Sequence, residues 1–413
     1  MRILIATAGS RGDVAPLTGL GARLSAAGHQ VAVATHVTFA DSVRAAGLEF
    51  RPLPVDPRAE LTSPQGRDIH GSGSGPRALL RLTRLARAFI PALGAGIADA
   101  AEPGTDLLLT TSTTADLGQC VAEAGGIPNV VLLLQPHTPT REFVPAIIGA
   151  RSFGGPGNLL AGHAVQAVVD RLFAPAVRDL RRRLGLPRAT VARARRDRTV
   201  LHGYSPRVVP RPADWHPSHQ VTGYWWPVAD PGWQPPPRLL DFLAAGPPPV
   251  CIGFGSLVVP DPERLTATLL AAVRAARVRA VVQSGWSGLS TPDGLDDVLT
   301  IGDAPHEWLF PRAAATVHHA GAGTTAATLR AGVPTVPVPA QLDAPFWSDR
   351  VTRLGTSPGP VPLPRLTPVR LATAIRQALD SPWHRTHART LATALVAEDG
   401  PAKVLAAIDR LAG

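Results

Sequence analysis

Thr316-Val317-His318-His319-Ala320-Gly321-Ala322-Gly323-Thr324-Thr325 is the stretch on which the reading of this chain turns. Ala313 to Val317 reads as the end of a buried strand, and Thr325 to Ala331 as the first turns of a helix. Two glycines with hydroxyls lie between them. Glycines there let the chain turn tightly and let main-chain N–H groups approach an anion, while the positive end of the helix dipole favours negative charge. Thr324 or Thr325 adds a hydroxyl donor, and His319 a ring N–H. The glycines alone fit a turn that binds nothing equally well; the histidine and hydroxyls beside them shift the reading toward a phosphate cradle.

Around the cradle the second half of the chain alternates strand and helix. Val250 to Phe254 reads as a strand ending in Gly253-Phe254-Gly255-Ser256, and Pro262 to Ala276 as an amphipathic helix. Arg279 to Gln283 is a strand ending at Ser284-Gly285-Trp286, followed by Val298 to Ile301, Ala304-Pro305-His306 and a strand at Val333 to Val338. Gln341-Leu342-Asp343-Ala344 leads into a further helix. In a parallel sheet such loops converge on one face, with the cradle among them.

The first half opens the same way. Residues 2 to 7 form an apolar strand running into Gly9-Ser10-Arg11-Gly12-Asp13, then Leu17, Leu20 and Leu24 at helical spacing up to Gly28, with a second strand over Gln30 to Thr35. The loop lacks a clean G-x-G-x-x-G and no acidic residue closely follows the second strand, so a nicotinamide or flavin fingerprint is weak. Asp13 has two readings: an N-cap for the helix, or a carboxylate held at the carboxyl end of the first strand to take a proton. Strands follow at Asp106 to Thr111, Asn129 to Leu134 and Thr199 to Tyr204. Residues 60–76 and 136–158 read as irregular loops that shape a pocket, with His137 either a substrate contact or a surface histidine.

With 413 residues, 45% of them hydrophobic, the chain is expected to form two domains. The divisions expected are 1–210, a proline- and tryptophan-rich linker at 211–240, 241–382, and a C-terminal helical segment, 383–413, packing back on the first domain. The net charge is +10, yet Lys403 is the only lysine, which excludes a Walker-type phosphate loop and Schiff-base chemistry at the cradle. Residues 181–198 carry eight arginines and one aspartate; a solvated helix and loop is favoured over a polyanion-binding patch because no aromatic residues interleave. Cys120 and Cys251 lie in apolar segments and read as reduced core residues, and the opening residues read as a strand rather than a leader, so a cytoplasmic protein with no membrane span and no nucleic-acid partner is expected.

Taken together, Ser10-Arg11-Gly12-Asp13-Val14-Ala15-Pro16, Gly223-Tyr224-Trp225, Gly253-Phe254-Gly255-Ser256, Ala304-Pro305-His306, the cradle and Asp343 to Trp347 resemble the GT-B glycosyltransferases of family 1, in the antibiotic and sterol group. The resemblance covers essentially the whole chain. It implies an α/β fold of two Rossmann-like, doubly wound parallel-sheet domains facing a cleft. It further implies that His319, Gly321, Ala322, Gly323 and Thr324 hold the donor diphosphate with Ser256. Ala304 to His306 would form the nucleobase and ribose wall, and Ser10, Arg11, Gly12 and Trp286 complete the donor site. Asp343 matches the position that holds sugar hydroxyls, and Asp13 matches the catalytic base.

The reaction implied is an inverting displacement, with a TDP- or UDP-sugar as donor, a hydrophobic aglycone as acceptor, and no cofactor or metal. Members using glucose usually carry Gln after the carboxylate, whereas Ala344 follows Asp343 here, which points to a deoxysugar. A GT-B epimerase, a lipid-linked sugar transferase and a non-catalytic sugar-nucleotide-binding partner of another transferase stay open as alternatives.

Overall fold

A computed structural model describes residues 1–54, 89–188, 195, 198–229, 232–292 and 294–412. Loop 60–76 lies outside the described residues, as do 189–194 and 196–197 of the arginine run.

Twelve strands form two sheets among the described residues. The first holds β1 (Arg2–Ala6), β2 (Gln30–Thr35), β3 (Glu49–Pro52), β4 (Leu107–Thr110), β5 (Asn129–Leu133), β6 (Thr199–His202) and β7 (His219–Val221), in the order β3-β2-β1-β4-β5-β6-β7. The second holds β8 (Val250–Gly253), β9 (Ala280–Gln283), β10 (Val298–Ile301), β11 (Ala315–His318) and β12 (Thr335–Pro337), in the order β10-β9-β8-β11-β12. Every pairing is parallel. Helices cover both faces, so the central strands are buried on both sides and read as apolar runs, whereas the edge strands β3 and β7 are only partly buried and carry polar residues.

The two-residue period of a strand assigns successive side chains to different cores. In β1, Ile3 and Ile5 pack with Leu17, Leu20 and Leu24 of the helix Arg11–Ala26, whereas Leu4 and Ala6 pack with Ile90, Leu93, Leu117 and Leu180. The second sheet divides likewise, with Ile252, Val282 and Val317 in one core and Cys251, Val281 and Leu299 in the other. Cys120 and Cys251 are buried free thiols, and burial pushes Cys251 up to about 12. No helix among the described residues is long and apolar enough to cross a membrane.

The two domains touch through aromatic rings and through the C-terminal helix. Phe143 meets Phe346 edge-on at 5.5 Å, and Tyr204 meets Trp347 at 6.3 Å. Val404, Ala407 and Ile408 of the helix Gly400–Ala412 sit in the core of the first sheet with Ile3 and Ile5. The helix Arg11–Ala26 packs so closely on the chain crossing between domains that a Cβ on Gly19 would overlap the Trp226 carbonyl, while Arg330 lies over the Trp226 ring at 4.4 Å.

Four sequence expectations change in detail. The helix Gly154–Arg183 begins inside the stretch expected to be irregular to 158, because Asn158, 1% exposed, ties its start: its Oδ1 accepts the Phe153 N–H at 2.9 Å and its Nδ2 donates to Arg141 O at 3.1 Å. The first sheet extends past residue 210, since His219–Val221 adds an edge strand to β6 from within the expected linker. The cradle helix starts at Ala322, so Gly323 lies in its first turn rather than ahead of it. The described arginines of the basic run divide: Arg182, Arg183 and Arg188 are exposed, as expected of a solvated helix and loop, whereas Arg195 and Arg198 both pair with Asp116, at 2.6 and 3.0 Å, and Arg181 pairs with Glu123 at 2.6 Å.

Candidate active site

In each sheet the chain leaves two neighbouring strands in opposite directions, β1 and β4 in the first, β8 and β11 in the second. Ligands of open parallel sheets bind in the crevice such a reversal leaves at the carboxyl ends of the strands. Both glycine loops of the sequence stand at these two places.

The loop after β1 is held from below. Thr114 Oγ1 donates to Ala6 O and Thr113 Oγ1 to Ala8 O, each at 2.7 Å, and His36 Nε2 accepts the Gly9 N–H at 3.0 Å. Ser10, not Asp13, is the N-cap of the helix Arg11–Ala26. Asp13 sits three residues on, and its Oδ2 accepts the Ser10 N–H at 2.8 Å and the Ser10 hydroxyl at 3.0 Å. Gly9 is required by this arrangement, because a Cβ there would stand 2.4 Å from Asp13 Oδ2. Burial raises the Asp13 pKa, and hydrogen bonds from Ser10 and Gln135 pull it back. The result is an ordered carboxylate at the end of β1.

The cradle lies opposite. His319 follows β11, Ala320 takes a left-handed φ of 63°, and Gly321 is the N-cap of the helix Ala322–Ala331. The His319 ring occupies the space two side chains would need: a Cβ on Gly321 would stand 2.4 Å from its Nε2, and one on Gly255 2.9 Å from its Cε1. At Gly323 the protein leaves room, the nearest atom to an added Cβ being Gly12 Cα of the other domain at 3.9 Å. His319 Nδ1, Thr325 Oγ1 and Gln341 Oε1 are buried without a partner among the described residues. Buried polar atoms are rarely left so unless something else meets them.

The walls come from neighbouring loops. Ser256 stands half-buried in the turn after β8, and Trp286 donates its backbone N–H to Gly255 O at 2.9 Å. Ala304 is buried, its carbonyl accepting from Gln283 Nε2 at 3.2 Å, and the His306 ring stacks on Phe310 at 4.3 Å. Arg11 reaches across from the first domain to pair with Asp303 at 3.1 Å. Burial holds His306 and His319 down to about 4, so both are neutral at pH 7 and His319 offers one N–H rather than a full charge.

Asp343 caps the helix Ala344–Arg353, and its Oδ2 accepts the Trp347 indole N–H at 2.7 Å. Leu342, just before it, has a φ of 54°. Burial raises Asp343 to about 6, and the charge of Asp13 adds to the rise, which places the two carboxylates in one field across the cleft. Ala344 is 4% exposed among Phe346 and Trp347 rather than open to the cleft. The sequence reading gave no role to His36, Gln135 or His318. His318 was at least visible as the first of a His-His pair, whereas nothing in the sequence links His36 to Gly9. His137 is exposed just beyond β5. No group of three or more His, Cys, Asp or Glu among the described residues is placed to hold a metal ion.

Comparison with known proteins bears on this geometry. The profile of the glycosyltransferase family 28 N-terminal domain matches residues 3–144, and that of the erythromycin biosynthesis protein CIII-like C-terminal domain matches residues 278–411. The chain is 37% identical over 412 residues to an O-mycaminosyltylonolide 6-deoxyallosyltransferase of Streptomyces fradiae, covering 97% of this chain and 95% of that one. The chain belongs to the antibiotic and sterol glycosyltransferases. It is also 35% identical over 418 residues to a sterol 3-beta-glucosyltransferase of Arabidopsis thaliana, covering 97% of this chain and 64% of the plant protein. The chain thus spans a little under two thirds of that relative's length. Among solved structures, the glycosyltransferase of kitacinnamycin superposes with a TM-score of 0.71 at 20% identity, covering 99% of this chain and 98% of that one. The glycosyltransferase VinC, solved in complex with DTDP, gives 0.69 at 23% identity, covering 100% and 99%. These two share the GT-B architecture of two facing parallel-sheet domains.

Proposed function

We propose that the chain transfers a sugar, with inversion, from a nucleoside diphosphate donor to a hydroxyl of a hydrophobic aglycone. The observation that carries this reading is the facing of the two loops, Gly12 against Gly323, which sets the ordered carboxylate of Asp13 opposite a helix N-terminus with unpartnered polar atoms.

In this reading the diphosphate lies on the free N–H groups at the start of the helix Ala322–Ala331, with His319, Thr324, Ser256 and Arg11 as further donors. Ala304 to His306 and Trp286 flank the nucleoside, and Asp343 accepts from the sugar hydroxyls. The acceptor hydroxyl attacks the anomeric carbon, its proton passes to Asp13, and the bond from that carbon to the diphosphate oxygen breaks, the electron pair leaving with the nucleoside diphosphate. Burial makes Asp13 a stronger base than an exposed aspartate. The positive helix end and His319 meet the developing charge without a metal.

Ala344 in place of an amide, together with the deoxyallosyl donor named for the Streptomyces fradiae relative and the DTDP bound by VinC, supports a TDP-deoxysugar as donor. Two unpaired, buried cysteines support a reducing, cytoplasmic setting. The test is a panel of TDP- and UDP-sugars scored by thermal shift, then mass spectrometry of products with polyketide, macrolide and sterol-like acceptors. Sugar transfer slowed roughly 10²–10⁴-fold by Asp13→Asn with nucleotide binding kept is the expected result; nucleotide binding with no transfer by the wild type to any acceptor would favour a non-catalytic binding partner.

A further inference from the structure

The turn that presents His319 contains a conformation its own residue disfavours. Ala320 has a φ of 63°, a left-handed region that residues other than glycine, asparagine and aspartate seldom occupy. Its methyl is 1% exposed, packed in the cluster of Phe346, Trp347 and Leu329. A conformation of this kind persists only where its surroundings enforce it.

The enforcing group lies directly beneath. His318, the last residue of β11, is 2% exposed, and its Nδ1 accepts the Ala320 N–H at 3.1 Å. Its Nε2 bonds Thr335 Oγ1 of β12 at 2.8 Å. An Nδ1 that accepts leaves the proton on Nε2, so Thr335 is the acceptor and fixes the tautomer. Thr316 Oγ1 lies 3.1 Å from Thr335 Oγ1 and 3.2 Å from Thr328 Oγ1 on the cradle helix. One buried chain of polar groups therefore runs from the helix through β11 and β12 to the amide of Ala320.

We propose that His318 is a positioning residue for the diphosphate, acting through the backbone of Ala320 and not by contact with ligand. The bond withdraws the Ala320 N–H from the cradle and holds the left-handed turn. With that turn in place His319 swings over Gly321 and Gly255, and the helix opens with its first amides free, Thr325 N–H making the bond to Gly321 O at 2.9 Å. This inference rests on the cradle being a diphosphate site, as proposed above.

Glycine adopts the left-handed turn without support, so it should replace the function of His318. The experiment is isothermal titration of TDP and UDP into the wild type, His318→Leu, Ala320→Gly and the double variant. His318→Leu should weaken the better-bound nucleotide by roughly tenfold, the equivalent of one unsupported left-handed residue. The double variant should recover to within about threefold of Ala320→Gly. A purely structural loss of the imidazole would not be repaired by removing a methyl group, so weak binding that persists in the double variant overturns the proposal, as does unchanged binding by His318→Leu. Should His318→Leu fail to fold, Thr335→Val keeps the imidazole and frees its tautomer; it should lower affinity about threefold and be rescued by Ala320→Gly, and absence of either effect overturns the proposal. A wild type that binds neither nucleotide overturns the diphosphate site as well, whereas binding without rescue overturns this inference alone.

Discussion

Arg11 of the first domain, two residues before Asp13, and Asp303 of the second, one residue before the Ala304-Pro305-His306 wall, are joined at 3.1 Å across the cleft. Both side chains are largely exposed, 63% and 77%, so the pair contributes at most about 1 kcal/mol and is easily broken. Asp303→Ala should leave the melting temperature unchanged and, by freeing Arg11 for the diphosphate, tighten TDP or UDP binding about threefold at low salt, an effect lost near 0.5 M salt as screening takes over. Arg11→Ala should weaken binding instead. Equal effects of the two variants in a titration would show that the pair acts only as a tie between domains.

Asp13→Asn keeps the shape of the helix start, since an amide oxygen accepts from the Ser10 N–H as the carboxylate does. The variant should lose roughly 10²–10⁴ in kcat, the range for removal of a general base, with nucleotide affinity within about threefold of the wild type. Single-turnover rates beside a titration check this. A variant with full rate would leave Asp13 as the partner of the Ser10 cap and nothing more.

How far the sequence reached follows from what each residue does. Strands buried on both faces announce themselves as apolar runs, and so β2 spans the expected Gln30 to Thr35 and β10 the expected Val298 to Ile301. The start of the helix at Gly154 did not show, because Gly154-Gly155-Pro156-Gly157 disfavours helix locally and a tertiary cap by Asn158 overrides it. At the site, glycines and titratable residues at strand ends were legible as chemistry. Their supports were not: the bond from Gly9 to His36 spans 27 positions, and that from His318 to Thr335 spans 17. Pairings of that kind are created by sheet register, which no local pattern records.

Ala344 tests the choice of sugar. Its methyl is packed against the Phe346 and Trp347 cluster, so a longer side chain must either displace those rings or extend into the cleft beside Asp343. Ala344→Gln is expected to cost about 1–3 kcal/mol of stability through overpacking. It should also raise kcat/KM for fully hydroxylated hexose donors relative to deoxysugar donors by about fivefold, the worth of one added neutral hydrogen bond. A donor ratio that does not move would remove position 344 from the specificity of the site.

Asp343 carries a pH signature whose sign is fixed by its shift. Its carboxyl rises from 3.8 to about 6 in the fold, chiefly through burial, so the folded state favours the neutral form. The stability this group contributes is complete below pH 4 and is lost as pH rises through about 6. At pH 7 the ionised carboxylate therefore costs the fold roughly 2–3 kcal/mol, about two pKa units at 1.36 kcal/mol each. Asp343→Asn removes that cost, and its amide oxygen still accepts from the Trp347 indole. The melting temperature of the variant should match the wild type near pH 4 and exceed it increasingly from pH 5 to 7, measured by calorimetry at constant ionic strength. The same variant should bind free TDP or UDP normally and bind the sugar nucleotide less well, because only the sugar hydroxyls lose their acceptor. A stability difference that is flat with pH would mean that the carboxylate is ionised in the fold as freely as in the unfolded chain, and that its charge stands ready for a sugar at no cost to stability.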